Sequence, residues 1–111
     1  MFGSHLSIAG GMYLALDVAA EQKMDCVQVF TKNQRQWKTK PLQDEDVAVW
    51  LEKLEALGWR GTNRIVSHNS YLINMASPEK ATWIKSVALQ REEIERCEVL
   101  EIPFLVAHPG A

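Results

Sequence analysis

The sequence contains no apolar run near the roughly 18 residues that a membrane-spanning helix needs, so we expect no membrane anchor. It also lacks a basic stretch followed by an apolar core at its start, so we expect no secretory signal. Only two cysteines occur, Cys26 and Cys97, each within a predicted strand or helix. Cysteines so placed are usually buried apolar side chains rather than a disulfide pair, which favours a reducing, cytoplasmic location.

The net charge and the glycine pattern bear on two further classes of protein, strongly basic nucleic-acid-binding proteins and dinucleotide-binding folds. The net charge of −2 provides no overall attraction for nucleic acid, so any such surface must be local. Gly10 and Gly11 follow the first predicted strand, but the full G-x-G-x-x-G pattern of a dinucleotide-binding fold is absent. No repeat, low-complexity stretch or linker divides the 111 residues, so we expect one small domain or part of a larger one.

The chain alternates predicted strands with predicted helices. β-forming residues mark the strands, and apolar residues at helical spacing mark the first two helices. The predicted elements are strand 1–4, helix 12–23, strand 27–30, helix 44–57, strand 64–67, helix 78–100 and strand 104–107.

Local signals set the helix boundaries. We expect Asp44 to cap the second helix and Gly58 to end it, while Ser77 before Pro78 predicts the start of the third. The predicted apolar stripes are Leu14, Ala15, Val18, Ala19 and Gln22 on the first helix, and Val47, Trp50, Leu51, Leu54 and Leu57 on the second.

This order of elements predicts an α/β fold with four parallel strands. Four strands are half of a (β/α)₈ TIM barrel, which needs about 250 residues. We therefore expect residues 1–111 to be a truncated, N-terminal half of such a barrel, with a small open sheet as the alternative.

All three histidines fall at or just after predicted strand ends. His5 follows the first strand, His68 the third and His108 the fourth. Functional side chains of parallel sheets gather at the carboxyl ends of the strands, and a neutral imidazole there can bind Zn²⁺. One histidine alone would more often be a polar cap bonded to backbone, but three on one side favour a metal site.

Two loops follow strands at the same side of the predicted sheet. Residues 31–40 carry four cations and no acid, interleaved with amides and one indole, a mixture that can neutralise phosphate, bond to sugar and stack on bases. Residues 70–75 place Tyr71, Leu72 and Ile73 in a row, and such side chains can wedge into a base stack. The alternatives are that the cations are merely solvated and that the apolar residues pack beneath their loop.

Several long segments together resemble the endonuclease IV family, the apurinic/apyrimidinic endonucleases of base-excision repair. These segments are GSHLSIAGG at residues 3–11, FTKNQRQW at 30–37, HNSYLIN at 68–74, RCE at 96–98 and HPGA at 108–111. The resemblance covers the whole chain. It implies a TIM barrel whose zinc cluster hydrolyses the DNA backbone 5′ to an abasic site in double-stranded DNA, leaving a 3′-hydroxyl, and a monomeric full-length protein.

The same resemblance implies roles for individual residues. His68 and His108 match two zinc ligands, and no catalytic side chain beyond the metal ligands is implied. Tyr71, Leu72 and Arg35 match side chains that enter the duplex and hold the abasic nucleotide outside the stack. The remaining matches are Asn33 and Gln34 close to the DNA, and His5 and Asn69 as supporting residues.

The chain departs from the family pattern at Asn69, where the family usually has aspartate, and at Glu101, where a helix-ending glycine is expected. The family's other zinc ligands match nothing in these 111 residues, which leaves two ligands where a catalytic zinc usually has three from protein. We therefore expect the isolated chain to be inactive, and either unstable or dimeric.

Two other functions stay open at this point. A metal-dependent sugar isomerase or epimerase would also place histidines at strand ends, but it has no need for the cationic loop beside Tyr71 and Leu72. A non-catalytic DNA-binding fragment would bind DNA in the presence of zinc without cutting it.

Overall fold

A computed structural model describes residues 1–110 as four β-strands alternating with three α-helices. The elements are β1 (Gly3–His5), α1 (Tyr13–Glu21), β2 (Cys26–Val29), α2 (Asp44–Leu57), β3 (Ile65–His68), α3 (Lys80–Val99) and β4 (Phe104–Val106). All adjacent strands are parallel, in the order β1-β2-β3-β4, which confirms the predicted fold class. Spatial order that follows chain order is typical of a barrel wound in one direction rather than of a doubly wound sheet.

The described part of the chain ends at Gly110. Ala111, the last residue of the predicted domain 1–111 and of the 108–111 segment, lies outside the described residues. No helix in residues 1–110 is long and apolar enough to cross a membrane.

The two faces of the sheet differ in burial. Val27, Val29, Ile65 and Ser67 point toward the helices and are fully buried. Side chains at the alternate positions lie on the other face, which we call the open face, and there Phe104 is 47% exposed. In a closed barrel this face lines the interior.

The core lies between the sheet and the helices. Trp50 and Leu54 of α2 are completely buried in it, and the Trp50 Nε1–H donates to the Leu100 carbonyl at 2.9 Å. The predicted stripe of α2 therefore forms part of the core. Cys26 and Cys97 are both free thiols. Cys97 is buried as predicted, whereas Cys26 is only half-buried.

The stripe predicted for α1 is partly wrong. Ala15, Leu16 and Ala19 are its buried residues, whereas Val18 is exposed. The helix contacts both α2 and β2, so the face that it buries is turned toward Leu16 and away from Val18.

Three predicted boundaries also shift. His5 lies within β1 rather than after it, and Gln43 rather than Asp44 occupies the N-cap of α2. α3 begins at Lys80 because the Glu79 N–H donates to the Ser77 hydroxyl at 3.2 Å, which closes a separate turn before the helix.

Helix ends agree with the glycine signals. Gly58 ends α2 in the left-handed conformation at φ 72°, as predicted. Glu101 adopts φ 55° after α3, the left-handed conformation in which a helix-ending glycine is expected and in which any side chain carries a cost in stability. Arg60 offsets part of that cost through an ion pair with Glu101 at 2.8 Å.

Candidate metal and nucleic-acid site

His68 and His108 meet at the carboxyl ends of β3 and β4. Their Nε2 atoms are 3.1 Å apart and their ring centroids 5.0 Å apart. β3 carries His68 at its last position, and β4 ends two residues before His108. The pairing of His68 with Val106 in the register sets the two strand ends side by side.

The geometry of this pair fits one shared metal ion. His68 Nδ1 lies 2.8 Å from the Asn69 carbonyl, which can only accept, so Nδ1 carries the proton and Nε2 presents a lone pair to His108. Two imidazole ligands on one tetrahedral zinc, each at about 2.0–2.1 Å, have nitrogens about 3.3 Å apart. The observed separation is close to that value.

The pair has no third partner within residues 1–110, where no group of three or more histidine, cysteine or acidic side chains could hold a metal ion. Catalytic zinc usually has three protein ligands. By themselves, His68 and His108 would therefore supply only part of the ligand set of a catalytic zinc.

An aromatic cluster surrounds His68 on the open face. Phe30 lies at its centre, in edge-on contact with His5, His68 and Tyr71 at centroid distances of 4.6, 5.6 and 5.4 Å. Tyr71 also contacts His68 at 5.9 Å. Phe30 was not predicted as a site residue, although its place at the carboxyl end of the predicted strand 27–30 was a usable signal.

His5 reaches His68 through Phe30 rather than by a hydrogen bond. Its Nδ1 lies 3.0 Å from the Gln28 side-chain amide, and its register partner in β2 is the same Gln28. Partial burial, and then the nearby His68, lower the pKa of His5 below its ordinary value. The contact of Nδ1 with an amide and the lowered pKa both favour a neutral His5 imidazole beside the histidine pair.

Asn69 supports His68 through its backbone. Its carbonyl contacts His68 Nδ1, whereas its side-chain amide pairs with that of Gln90 through two hydrogen bonds of 2.5 and 3.3 Å. The orienting contact therefore does not depend on having asparagine or aspartate at this position.

The first loop, residues 30–43, exposes only part of its predicted cationic surface. Arg35 and Asn33 are exposed and Gln34 is half-buried, and the Arg35 N–H donates to Asn33 Oδ1 at 2.9 Å. Lys32, in contrast, is 6% exposed and its ammonium donates to the carbonyls of Asn33 and Gln36. Burial lowers the pKa of the Lys32 ammonium. The alternative that all four cations of the loop are solvated is therefore wrong for Lys32.

The second loop, residues 69–79, presents Tyr71 to solvent at 67% exposure and leaves Leu72 half-buried. Ile73, the third apolar residue of this row, packs beneath the loop and is 6% exposed. Packing beneath the loop is therefore confirmed for Ile73 alone, while entry of Tyr71 and Leu72 into a base stack stays a prediction.

Two charged residues of α3 were not predicted. Glu93 is fully buried, and both of its carboxylate oxygens accept the Ser70 N–H at 3.0 and 3.2 Å. Burial raises the pKa of Glu93, against the lowering effects of the Ser70 bond and of Lys32 and Arg96. Arg96 donates from Nε to the Thr31 carbonyl at 3.0 Å, and burial lowers its pKa.

Comparison with known proteins relates this arrangement to one family. Residues 16–111 match the family model described as xylose isomerase-like TIM barrel. A protein of Chloroflexus aurantiacus named "Probable endonuclease 4" is 40% identical over 110 residues, covering 99% of this chain and 38% of that protein. One of the same name from Methanosphaerula palustris is 43% identical over 108 residues, covering 97% of this chain and 37% of that protein.

A solved structure shows the same relation in three dimensions. Endonuclease IV from Thermus thermophilus superimposes with a TM-score of 0.90 at 32% identity, over 100% of this chain and 41% of that one. The chain thus spans about two fifths of the length of the proteins that it matches.

Proposed function

The chain belongs to the xylose isomerase-like TIM barrel family, and on that basis we propose that it forms the N-terminal, DNA-facing part of a zinc-dependent apurinic/apyrimidinic endonuclease. Its substrate is then double-stranded DNA that contains an abasic site, in base-excision repair. In this proposal residues 1–111 are part of one barrel domain whose complete site hydrolyses the phosphodiester 5′ to the lesion.

One observation carries the proposal: the two strand-end histidines face each other at zinc-ligand spacing, directly beside exposed Tyr71. Exposed Arg35 lines a cavity with His5 and Phe30, the rings next to this pair. His68 and His108 would hold one zinc ion through their Nε2 atoms. Zinc bound there would supply Lewis-acid chemistry to a phosphodiester. The Asn69 carbonyl keeps the His68 lone pair directed at that position.

The loops provide the complementary surface for damaged DNA. Arg35 would neutralise a phosphate or enter the duplex, and the flat ring of Tyr71 would stack where a base is missing. Leu72 would exclude water from the gap, with Asn33 and Gln34 bonding to the backbone nearby. A sugar isomerase would need neither the exposed cation nor the exposed ring.

Direct binding measurements test the proposal. Fluorescence anisotropy should show tighter binding to a duplex with one tetrahydrofuran abasic analogue than to the intact duplex, with affinity falling steeply as salt rises. Arg35→Ala and Tyr71→Ala should each weaken the preference by about tenfold, as expected for the loss of one or two kcal/mol of contact energy.

Arg91→Ala is the matched control, because Arg91 is an exposed cation on the outer side of α3, where it pairs with Glu95. Equal affinity for the two duplexes, or a loss in Arg91→Ala as large as in Arg35→Ala, would contradict the proposal. Incision by this chain is not part of the test, because two protein ligands do not complete a catalytic zinc site.

A further inference from the structure

α3 carries a row of polar side chains on the side that faces the sheet and loops. Ser86, Gln90, Glu93 and Arg96 follow one another at intervals of three or four residues, so one lies on each turn. Ser86 and Glu93 have no solvent exposure. A helix that covers a parallel sheet ordinarily carries an apolar stripe on the side that faces the sheet. We call these four residues the polar row.

Three members of the polar row hold the second loop. The Asn74 N–H donates to the Ser86 hydroxyl at 2.9 Å, the Asn69 amide pairs with Gln90, and the Ser70 N–H donates to Glu93. The loop that presents Tyr71 and Leu72 is therefore fixed on both sides of these two residues.

The fourth member holds the first loop. Arg96 donates to the Thr31 carbonyl at the beginning of the loop and, from Nη1 at 3.0 Å, to the Lys40 carbonyl near its end. Ser70 links the two loops directly, since its hydroxyl donates to the Gln34 carbonyl at 2.8 Å. Gln34 is the residue next to Arg35.

Stability alone is a poor explanation for the charges of Glu93 and Arg96. Removing a carboxylate and a guanidinium from water is expensive, and replacing buried ions with apolar side chains of similar volume is often neutral or stabilising. The hydrogen bonds of Glu93 go to a single backbone N–H, with the charges of Lys32 and Arg96 nearby, and those of Arg96 go to two carbonyls of one loop. Both charges act on loop backbone rather than on the core.

We propose that Glu93 and Arg96 are positioning residues that fix the two loops relative to each other, so that Arg35 and Tyr71 are set at one separation before DNA binds. The expected effect on DNA affinity rests on the proposed function, whereas the positioning of the loops does not. Loops ordered in advance lose less conformational entropy on association, which raises affinity without any new contact.

Hydrogen exchange measured by mass spectrometry tests the positioning without DNA. In Glu93→Gln the charge-assisted bond to Ser70 is replaced by a neutral one, so amides of residues 69–76 should exchange about tenfold faster. Amides of α2 should be unchanged, whereas general destabilisation would accelerate both. Glu98→Gln, the same change on an exposed position of α3, is the control and should alter neither.

Binding to the abasic duplex tests the consequence. Glu93→Gln should weaken it about fivefold to tenfold, and the same substitution in a Tyr71→Ala background should add less than about twofold, because the residue to be positioned is gone. Ser70→Ala, which removes the bond to Gln34 and keeps the backbone N–H, provides a second variant if Glu93→Gln does not fold, and should also weaken binding.

Unchanged exchange at residues 69–76 in Glu93→Gln, or in Ser70→Ala if Glu93→Gln does not fold, would overturn the inference. So would effects of Glu93→Gln and Tyr71→Ala that simply multiply, since they would then act independently. Failure of the proposed function would be visible elsewhere, as equal affinity of the unsubstituted chain for intact and abasic duplexes. The exchange result would still decide whether the polar row holds the loops.

Discussion

The side-chain amides of Asn69 and Gln90 form a reciprocal pair at the base of the second loop. Each amide donates to the carbonyl oxygen of the other, and Asn69 is 2% exposed. An aspartate has no N–H to donate, so a carboxylate here would leave Gln90 Oε1 without this donor. Gln90 Nε2 could still donate to that carboxylate, so aspartate would keep one of the two bonds of the pair and lose the other.

Asn69→Asp is accordingly predicted to destabilise the protein by about 1–3 kcal/mol, the usual cost of an unsatisfied buried polar group. Denaturant unfolding at neutral pH measures it. Asn63→Asp, on an exposed residue before β3, is the control and should change the free energy of unfolding little. An Asn69→Asp protein as stable as the unsubstituted chain would show that the amide pair contributes nothing.

The carboxyl of Glu101 leads to a prediction of how the stability of the folded chain depends on pH. Its hydrogen bond to Arg60 holds the pKa of this carboxyl below its usual range. A lowered pKa in the folded state means that the stabilisation is complete above the ordinary glutamate pKa and is lost as pH falls through the lowered value. The melting-temperature difference between the unsubstituted chain and Glu101→Gln should therefore be small and positive at neutral pH and vanish in strong acid.

Glu98→Gln provides the comparison, since it removes an exposed carboxylate from the preceding helix end without involving Arg60. A melting-temperature difference for Glu101→Gln that grows on acidification would contradict the assignment of the ion pair.

At the scale of elements, Trp50 connects α2 to the end of α3. Its indole is completely buried, and its N–H donates to the Leu100 carbonyl. Trp50→Phe should cost about 1–3 kcal/mol in the free energy of unfolding, because it leaves a buried carbonyl unpaired and a cavity beside it. Thermal or denaturant unfolding followed by circular dichroism measures the change.

Trp83→Phe is the matched control on α3, because Trp83 is 45% exposed. It should shift stability by much less than Trp50→Phe. Equal effects of the two substitutions would mean that the bond to Leu100 does not hold the helices together.

Helix boundaries could be predicted from the sequence where one signal has a single structural meaning, and not where it has two. α2 followed from apolar spacing because one side of the helix is in the core, and Gly58 ended it because the backbone there requires a left-handed residue. The boundary at Ser77 was misplaced because its hydroxyl can cap a turn as well as a helix. The two signals look the same in sequence.

The site was predicted in part for a similar reason. Strand ends brought His68 and His108 together as expected, since parallel strands end at one edge of a sheet. The burial of Lys32 and Glu93 and the partial burial of Arg96 were not predicted, because charged residues in a loop or helix are ordinarily solvated. Their burial depends on contacts between segments distant in sequence, such as Arg96 with Thr31, which composition and periodicity do not encode.

At the scale of the whole molecule, the sheet separates two functions. Its helix-facing side carries the core, and its open face carries the histidines and Phe30 at one end. The pair of His68 and His108 joins β3 to β4, and the polar row joins α3 to both loops. Zinc bound by the pair should consequently stabilise the folded chain as a whole, because the unfolded chain does not hold the two imidazoles together.

Thermal unfolding of the chelator-treated chain, as zinc is added back, tests this central claim most directly. We predict a rise in melting temperature that saturates at one zinc ion per chain. At a zinc concentration about 100 times the Kd, the gain is about 2.7 kcal/mol in the free energy of unfolding. His68→Gln and His108→Gln should each abolish the rise, and His5→Gln should retain it. No rise in the unsubstituted chain, or an equal rise in all three variants, would contradict a zinc site at His68 and His108.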